Sequence, residues 1–200
     1  MAEQLSLLGS SAKRAPRIVY FDLETLRSAD DVGGWNHIAK MGVASAVCYD
    51  DQDGRFFHYA EPEVPALIEK LKSADLVVGF NVIRFDYTVL KGYSDFNFST
   101  IPTFDMLDDV TRRLGHRLKL DSLVQATLGA GKSGDGLQSL RWVKEGRFDL
   151  IREYCEKDVE LTRDLFLFGA KEGYVYYDHR GEKARVAVEW NARKILSWPD

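Results

Sequence analysis

From Arg17 to Leu23 the chain reads Arg-Ile-Val-Tyr-Phe-Asp-Leu, a β-branched and aromatic run that is apolar at both odd and even positions. A strand of this kind belongs in the middle of a sheet with cover on both faces. The rest of the chain must supply that cover, and 200 residues at 45% hydrophobic and 12% aromatic content suffice for one such packed domain. Two-residue alternation puts Ile18, Tyr20, Asp22 and Glu24 on one face, so two carboxylates emerge side by side where the apolar run stops. Ionised acids beside a core are costly and repel one another, and a divalent cation is the simplest compensation. The competing reading is a strand end that opens into solvent.

Downstream, Met41 to Tyr49 and Arg55 to Tyr59 read as strands joined by the turn Asp50-Asp-Gln-Asp-Gly54. Pro62 to Leu71 has helical spacing through Val64, Leu67, Ile68 and Leu71, Asp75 to Phe80 is a short buried strand, and Phe85 to Leu90 is helical again. Helices are predicted from Asp105 to Leu114 and Leu118 to Leu128, followed by a glycine-rich loop from Gly129 to Gly136. The longest helix runs from about Asp149 to Phe168, with Leu150, Ile151, Tyr154, Leu161, Leu165 and Phe168 on its stripe. Tyr174 to Tyr177 and Arg185 to Val188 close the chain as a hairpin. The expected class is α/β, a mixed β-sheet with flanking helices plus a C-terminal β-hairpin. Residues 1–16 are expected to form a flexible tail, 17–170 the domain, and 171–200 a hairpin extension of it.

Two further segments carry acids in unusual places. Asn81-Val-Ile-Arg-Phe-Asp86 follows a buried strand and lies at its carboxyl end, where open α/β sheets bind ligands. Asp86 there is either part of a ligand site or a first-turn acid favoured by the helix dipole, with Asn81 as the cap. On the long helix, Tyr154 and Asp158 are four residues apart, and Asp158 interrupts the apolar stripe. A carboxylate turned toward a core rarely goes without a partner, whereas Tyr154 alone would read as an ordinary core tyrosine. Asp22, Glu24, Asp86 and Asp158 make an all-oxygen set that suits Mg²⁺ or Mn²⁺; zinc's usual His and Cys ligands are missing. Two such ions about 4 Å apart support hydrolysis of a phosphodiester.

In order and spacing, Phe21-Asp-Leu-Glu-Thr25, Asn81-x-x-x-Phe85-Asp86 and Tyr154-x-x-x-Asp158 resemble the three exonuclease motifs of the DEDD superfamily, the third in its tyrosine-bearing form. That superfamily has an RNase H-like fold and includes the proofreading domains of DNA polymerases. Pro102-Thr-Phe-Asp105, Leu120-Asp-Ser-Leu123 and Leu128-Gly129 are similar to the stretch between its second and third motifs, which makes Asp105 a supporting acid. The resemblance implies a 3′-to-5′ exonuclease that releases nucleoside monophosphates from single-stranded DNA or RNA ends with two divalent cations. By the same resemblance Asp22 bridges both ions, Glu24 and Asp158 bind the ion that activates water, Asp86 supports the second, and Tyr154 orients the water. Thr25, Leu26, Asn81 and Phe85 stand where the superfamily contacts the substrate. No polymerase accompanies these motifs and the hairpin from Gly173 to Trp190 has no counterpart in the proofreading pattern, so the chain looks closer to stand-alone exonuclease-like proteins, some associated with helicases. An RNA-trimming ribonuclease and a noncatalytic nucleic-acid or helicase-binding module on the same fold are the alternatives.

A net charge of −4 excludes a global basic field, so phosphate must be held locally. Arg112, Arg113, Arg117, Lys119, Arg141, Lys144 and Arg147, with Trp142 as a stacking ring, are candidates for a single-strand groove; a solvated helix face explains them equally well. Gly131-Lys-Ser133 lacks the glycine that a phosphate loop needs at position 126, which is Ala126. His37, His58, His116 and His179 have no metal spacing, and Cys48 and Cys155 are expected to be free thiols of a reducing compartment. No apolar run approaches the roughly 18 residues of a membrane span, and no secretory pattern opens the chain, so a soluble, cytoplasmic protein is expected. Gln4-Leu-Ser-Leu-Leu8 resembles the short peptide by which bacterial proteins dock on the replication sliding clamp; the other reading is an apolar terminus packed on its own domain.

Overall fold

A computed structural model describes residues 14–131 and 136–198. The clamp-like segment Gln4 to Leu8 and part of the glycine-rich loop therefore lie outside the described residues. In chain order the elements are β1 (Ile18–Thr25), β2 (Val43–Asp50), β3 (Arg55–Tyr59), α1 (Val64–Lys72), β4 (Leu76–Gly79), α2 (Asp86–Leu90) and β5 (Thr103–Asp105). They continue with α3 (Met106–Leu114), α4 (Leu120–Leu128), α5 (Gly136–Glu145), α6 (Phe148–Glu172), β6 (Tyr174–His179), β7 (Glu182–Ala187) and α7 (Ala192–Ile195). The first five strands form one mixed sheet in the order β3-β2-β1-β4-β5, and β6 and β7 pair as a separate antiparallel hairpin. β1 is antiparallel to β2 and parallel to β4.

The double apolar parity of β1 is explained by two cores. Val19, Phe21 and Leu23 pack with Val64, Leu67 and Leu71 of α1 and Val89 and Leu90 of α2. Ile18 and Tyr20 face the opposite way, into Met106, Val110, Leu123, Val159, Leu165 and Phe166 of α3, α4 and α6. Each such buried side chain contributes about 1.5–3 kcal/mol, so neither layer is dispensable. α6 packs over β2, β1 and β4. Its small Cys155 permits a close crossing, with Sγ 3.4 Å from the Asp22 carbonyl oxygen.

The terminal hairpin is tied to this frame. Thr127 of α4 exchanges two hydrogen bonds with the backbone of Tyr176, donating at 3.0 Å and accepting at 2.9 Å. Trp190 lies parallel to Phe166, 5° between planes, and its Nε1 donates to Asp109 Oδ2 at 2.8 Å. Across the molecule, at the amino ends of β1 and β4, Arg14 Nη2 donates to Asp75 Oδ1 at 2.9 Å and Trp198 Nε1 to the Arg14 carbonyl at 3.2 Å.

The structure departs from the sequence reading at several elements. β5 is a strand paired with β4, and Asp105 ends it and caps α3 instead of opening that helix. α6 continues past Phe168 to Glu172, because Gly169 is covered by Trp190 and does not break it. The hairpin strands reach His179 and restart at Glu182, which leaves Arg180-Gly181 as the turn. Short 3-10 turns at Asp30–Val32, Trp35–Lys40 and Phe98–Thr100 carry no periodic signal and were not expected. Among the described residues no helix is long and apolar enough to cross a membrane, and Cys48 and Cys155 are free and buried.

Candidate active site

Asp22 and Glu24 continue the Ile18/Tyr20 face of β1 and so point toward α6, where Asp158 comes down to meet them. Each of the three acids offers one carboxylate oxygen, and these oxygens all lie within 4.8 Å of one another. Asp22 and Glu24 are half-buried and Asp158 is buried, so the like charges repel where water screens poorly. A divalent cation is the natural complement to an oxygen-only set of this density.

Asp86 stands beside this trio without joining it. Its Oδ1 accepts a 3.1 Å hydrogen bond from Leu23 N, where β1 runs past its pairing with β4. Gly79 lets the chain leave β4 toward α2 close against β1, since a Cβ there would sit 2.2 Å from Val82 Cγ1 and 2.9 Å from the Phe21 carbonyl oxygen. Burial, then the charges of Asp105 and Glu24, hold the Asp86 carboxyl well above the usual range. Burial, then the charges of Asp22, Glu24, Asp158 and Asp86, raises the Cys155 thiol well above its ordinary value, which keeps this residue a neutral packing group.

Asp105 serves the backbone. Its carboxylate accepts from Asn81 N at 2.8 Å, Ile83 N at 3.1 Å and Leu107 N at 3.0 Å, and so holds the turn before α2 and the start of α3 together. Asn81, at φ 69°, does not cap α2; its side-chain oxygen accepts from Arg117 Nη2 at 2.7 Å. Two neighbours of the acids escaped the sequence reading. Ser139 of α5, buried, donates from Oγ to Glu24 Oε2 at 2.6 Å. The signal available was a serine on the apolar face that also carries Leu140 and Val143. The second is Trp35, which follows two glycines and is 68% exposed.

A cleft of about 970 Å³ opens over the acids; Asp22, Glu24, Thr25, Asn81, Phe85, Asp86, Tyr154 and Asp158 all line it. Trp35, Arg27, Arg117 and Lys119 line it too, whereas Arg112, Arg113, Arg141, Lys144 and Arg147 do not. Trp142 packs edge-on against Tyr154, ring centres 6.0 Å apart, away from the cleft surface. Leu26 faces a separate hollow shared with Tyr59 and Phe148. A register shift between Glu24 and Thr25 ends the strict alternation of β1 just before it.

The fold and the acid cluster define an α/β chain of RNase H-like architecture with a candidate metal site. No protein-family model matches the sequence, and no curated protein does. Among solved structures the chain is similar to the family B DNA polymerase from the hyperthermophilic archaeon Pyrobaculum calidifontis, at 16% identity and a TM-score of 0.57. The likeness covers 80% of this chain and 24% of that one, so the chain spans about a quarter of the polymerase. At that identity the shared property is the fold, and the β3-β2-β1-β4-β5 mixed sheet agrees with it.

Proposed function

We propose that this chain is a metal-dependent 3′-to-5′ exonuclease of the DEDD type, acting on single-stranded nucleic-acid ends. The observation that carries the reading is the convergence of Asp22, Glu24 and Asp158 oxygens within 4.8 Å, from a strand and a helix distant in sequence. The order of the three motifs and the tyrosine at 154 support the subtype, and the fold likeness to part of a DNA polymerase supports nucleic acid as the substrate class.

The oxygen-only donor set fits two Mg²⁺ or Mn²⁺ ions, which Asp22, Glu24 and Asp158 would hold with Asp86 beside them. When bound, such ions supply charge stabilisation at phosphorus and an acidified water. The protein's own part is positioning. Tyr154, one helical turn before Asp158 and on the cleft wall, is the residue that would orient the attacking water. Ser139 fixes the Glu24 carboxylate, and Arg117 and Lys119 present donors to the phosphates of the incoming strand. Asp86, buried, ionises readily only with a positive charge close by, which ties its negative state to a loaded site.

The test is gel-resolved digestion of 5′-labelled single-stranded DNA and RNA with Mg²⁺, Mn²⁺ or EDTA, alongside Asp22→Ala. A ladder that shortens from the 3′ end, needs metal and is absent in Asp22→Ala supports the proposal and gives the preferred sugar. Undiminished activity in Asp22→Ala would overturn it, and so would no cleavage of either polymer, which favours a noncatalytic binding module.

A further inference from the structure

Trp35 is the exposed member of four tryptophans, all within the described residues. It is 68% exposed, while Trp190 is 1% exposed, and Trp142 and Trp198 are half-buried. Large aromatic rings are normally buried, and an exposed one forfeits much of its hydrophobic contribution. The ring is not on a frayed segment. Gly33 and Gly34, at φ 88° and 110°, turn the chain just before it, Gly34 N donates to the Ala29 carbonyl at 2.6 Å, and His37 N donates to the Gly34 carbonyl at 3.0 Å. The Phe85 ring braces it, with centroids 6.4 Å apart and planes at 59°.

The position of Trp35 would give a flat apolar face a ligand to meet. Trp35 lines the same cleft as Asp22, Glu24 and Asp158. That cleft carries five acids, Asp22, Glu24, Asp30, Asp86 and Asp158, against three cations, Arg27, Arg117 and Lys119. Three cations contact only a short stretch of backbone, and single-strand sites add to such pairing the stacking of bases on aromatic rings.

We propose that Trp35, braced by Phe85, is the stacking platform for a base of the strand whose 3′ end reaches the acids. The inference rests on the exonuclease reading and adds to it that the grip is on the base, tolerant of sequence because every base has a π-face.

The experiment measures kcat and KM for Trp35→Ala and Trp35→Tyr on a single-stranded oligonucleotide, and on the same oligonucleotide with abasic residues near its 3′ end. Thermal melts confirm that both variants fold. Loss of one stacked base raises KM in Trp35→Ala by roughly 5- to 140-fold, with kcat little changed, as expected for binding shared by ground and transition states. Trp35→Tyr restores most of the loss. The abasic substrate penalises the wild type and adds nothing in Trp35→Ala, an interdependence that a merely structural residue would not show. An unchanged KM in Trp35→Ala, or an equal abasic penalty in both proteins, overturns the proposal and turns attention to a protein partner for the ring. If the wild type cleaves nothing, the exonuclease reading fails on that result alone. Quenching of tryptophan fluorescence by oligothymidylate still decides the platform: quenching lost in Trp35→Phe supports it, and equal quenching overturns it.

Discussion

Removal of one hydroxyl, in Ser139→Ala, is expected to weaken metal binding while leaving the fold in place. Ser139 is 1% exposed and its Oγ donates to Glu24 Oε2 at 2.6 Å, so water does not simply replace it. A hydrogen bond to a charged acceptor is worth about 1.5–3 kcal/mol, and an immobilised glutamate loses up to about 2 kcal/mol of side-chain entropy. Ser139 offsets part of that ordering before any ion arrives by fixing one oxygen of Glu24 and leaving the other to turn toward the cation. The part lost on substitution is about 1–2 kcal/mol, or about 5- to 30-fold in affinity. Two assays check it: the Mg²⁺ concentration that half-saturates exonuclease activity, and calorimetric titration with Mn²⁺, which needs no turnover. Half-saturation within about twofold of the wild type in both assays would refute the claim that Ser139 positions Glu24.

Gly169→Ala tests the packing of the terminal extension. Helix propensity alone favours alanine by about 1 kcal/mol, but the new Cβ would lie 2.3 Å from Trp190 Cε3 and displace that ring from Phe166 and Asp109. The net effect is a loss of about 2–4 kcal/mol, or a melting temperature lower by about 4–16 °C; a higher melting temperature would contradict the packing. Asp86→Asn tests the buried acid in EDTA. Because its folded-state pKa is raised, the contribution of Asp86 is present in acid and is lost as pH rises through that value. The asparagine variant should therefore melt higher than the wild type at alkaline pH, with the gap closing toward about pH 4, the ordinary carboxylate range. A gap that does not vary with pH would show that ionisation is not its cause.

What the sequence disclosed was whatever a local period can carry. The two parities of residues 17–23 anticipated a strand between two cores, and alternation put Asp22 and Glu24 on the face that meets α6. Asp158 was visible because it breaks an apolar helical stripe. β5 was missed since three residues cannot display a period, and Asp105 was drawn into the following helix because a cap and a first-turn acid look alike in sequence. Ser139 and Trp35 were invisible as site residues because tertiary packing brings α5 and the 30s turn to the cleft. Leu26 follows the register shift at Glu24/Thr25, where alternation no longer says which way a side chain faces, and it lines a hollow with Tyr59 and Phe148.

The contact between Arg14 and Trp198 has a practical corollary. The two residues meet at the amino ends of β1 and β4, whereas Asp22 and Glu24 lie farther along β1, about 13–20 Å from Ile18 at about 3.3 Å per residue. Arg14 and Trp198 therefore sit toward the end of β1 opposite to the acids. A dye or crosslinker carried on the side chain of either residue leaves the cleft open, so the acid cluster can be probed while the protein is held on a surface.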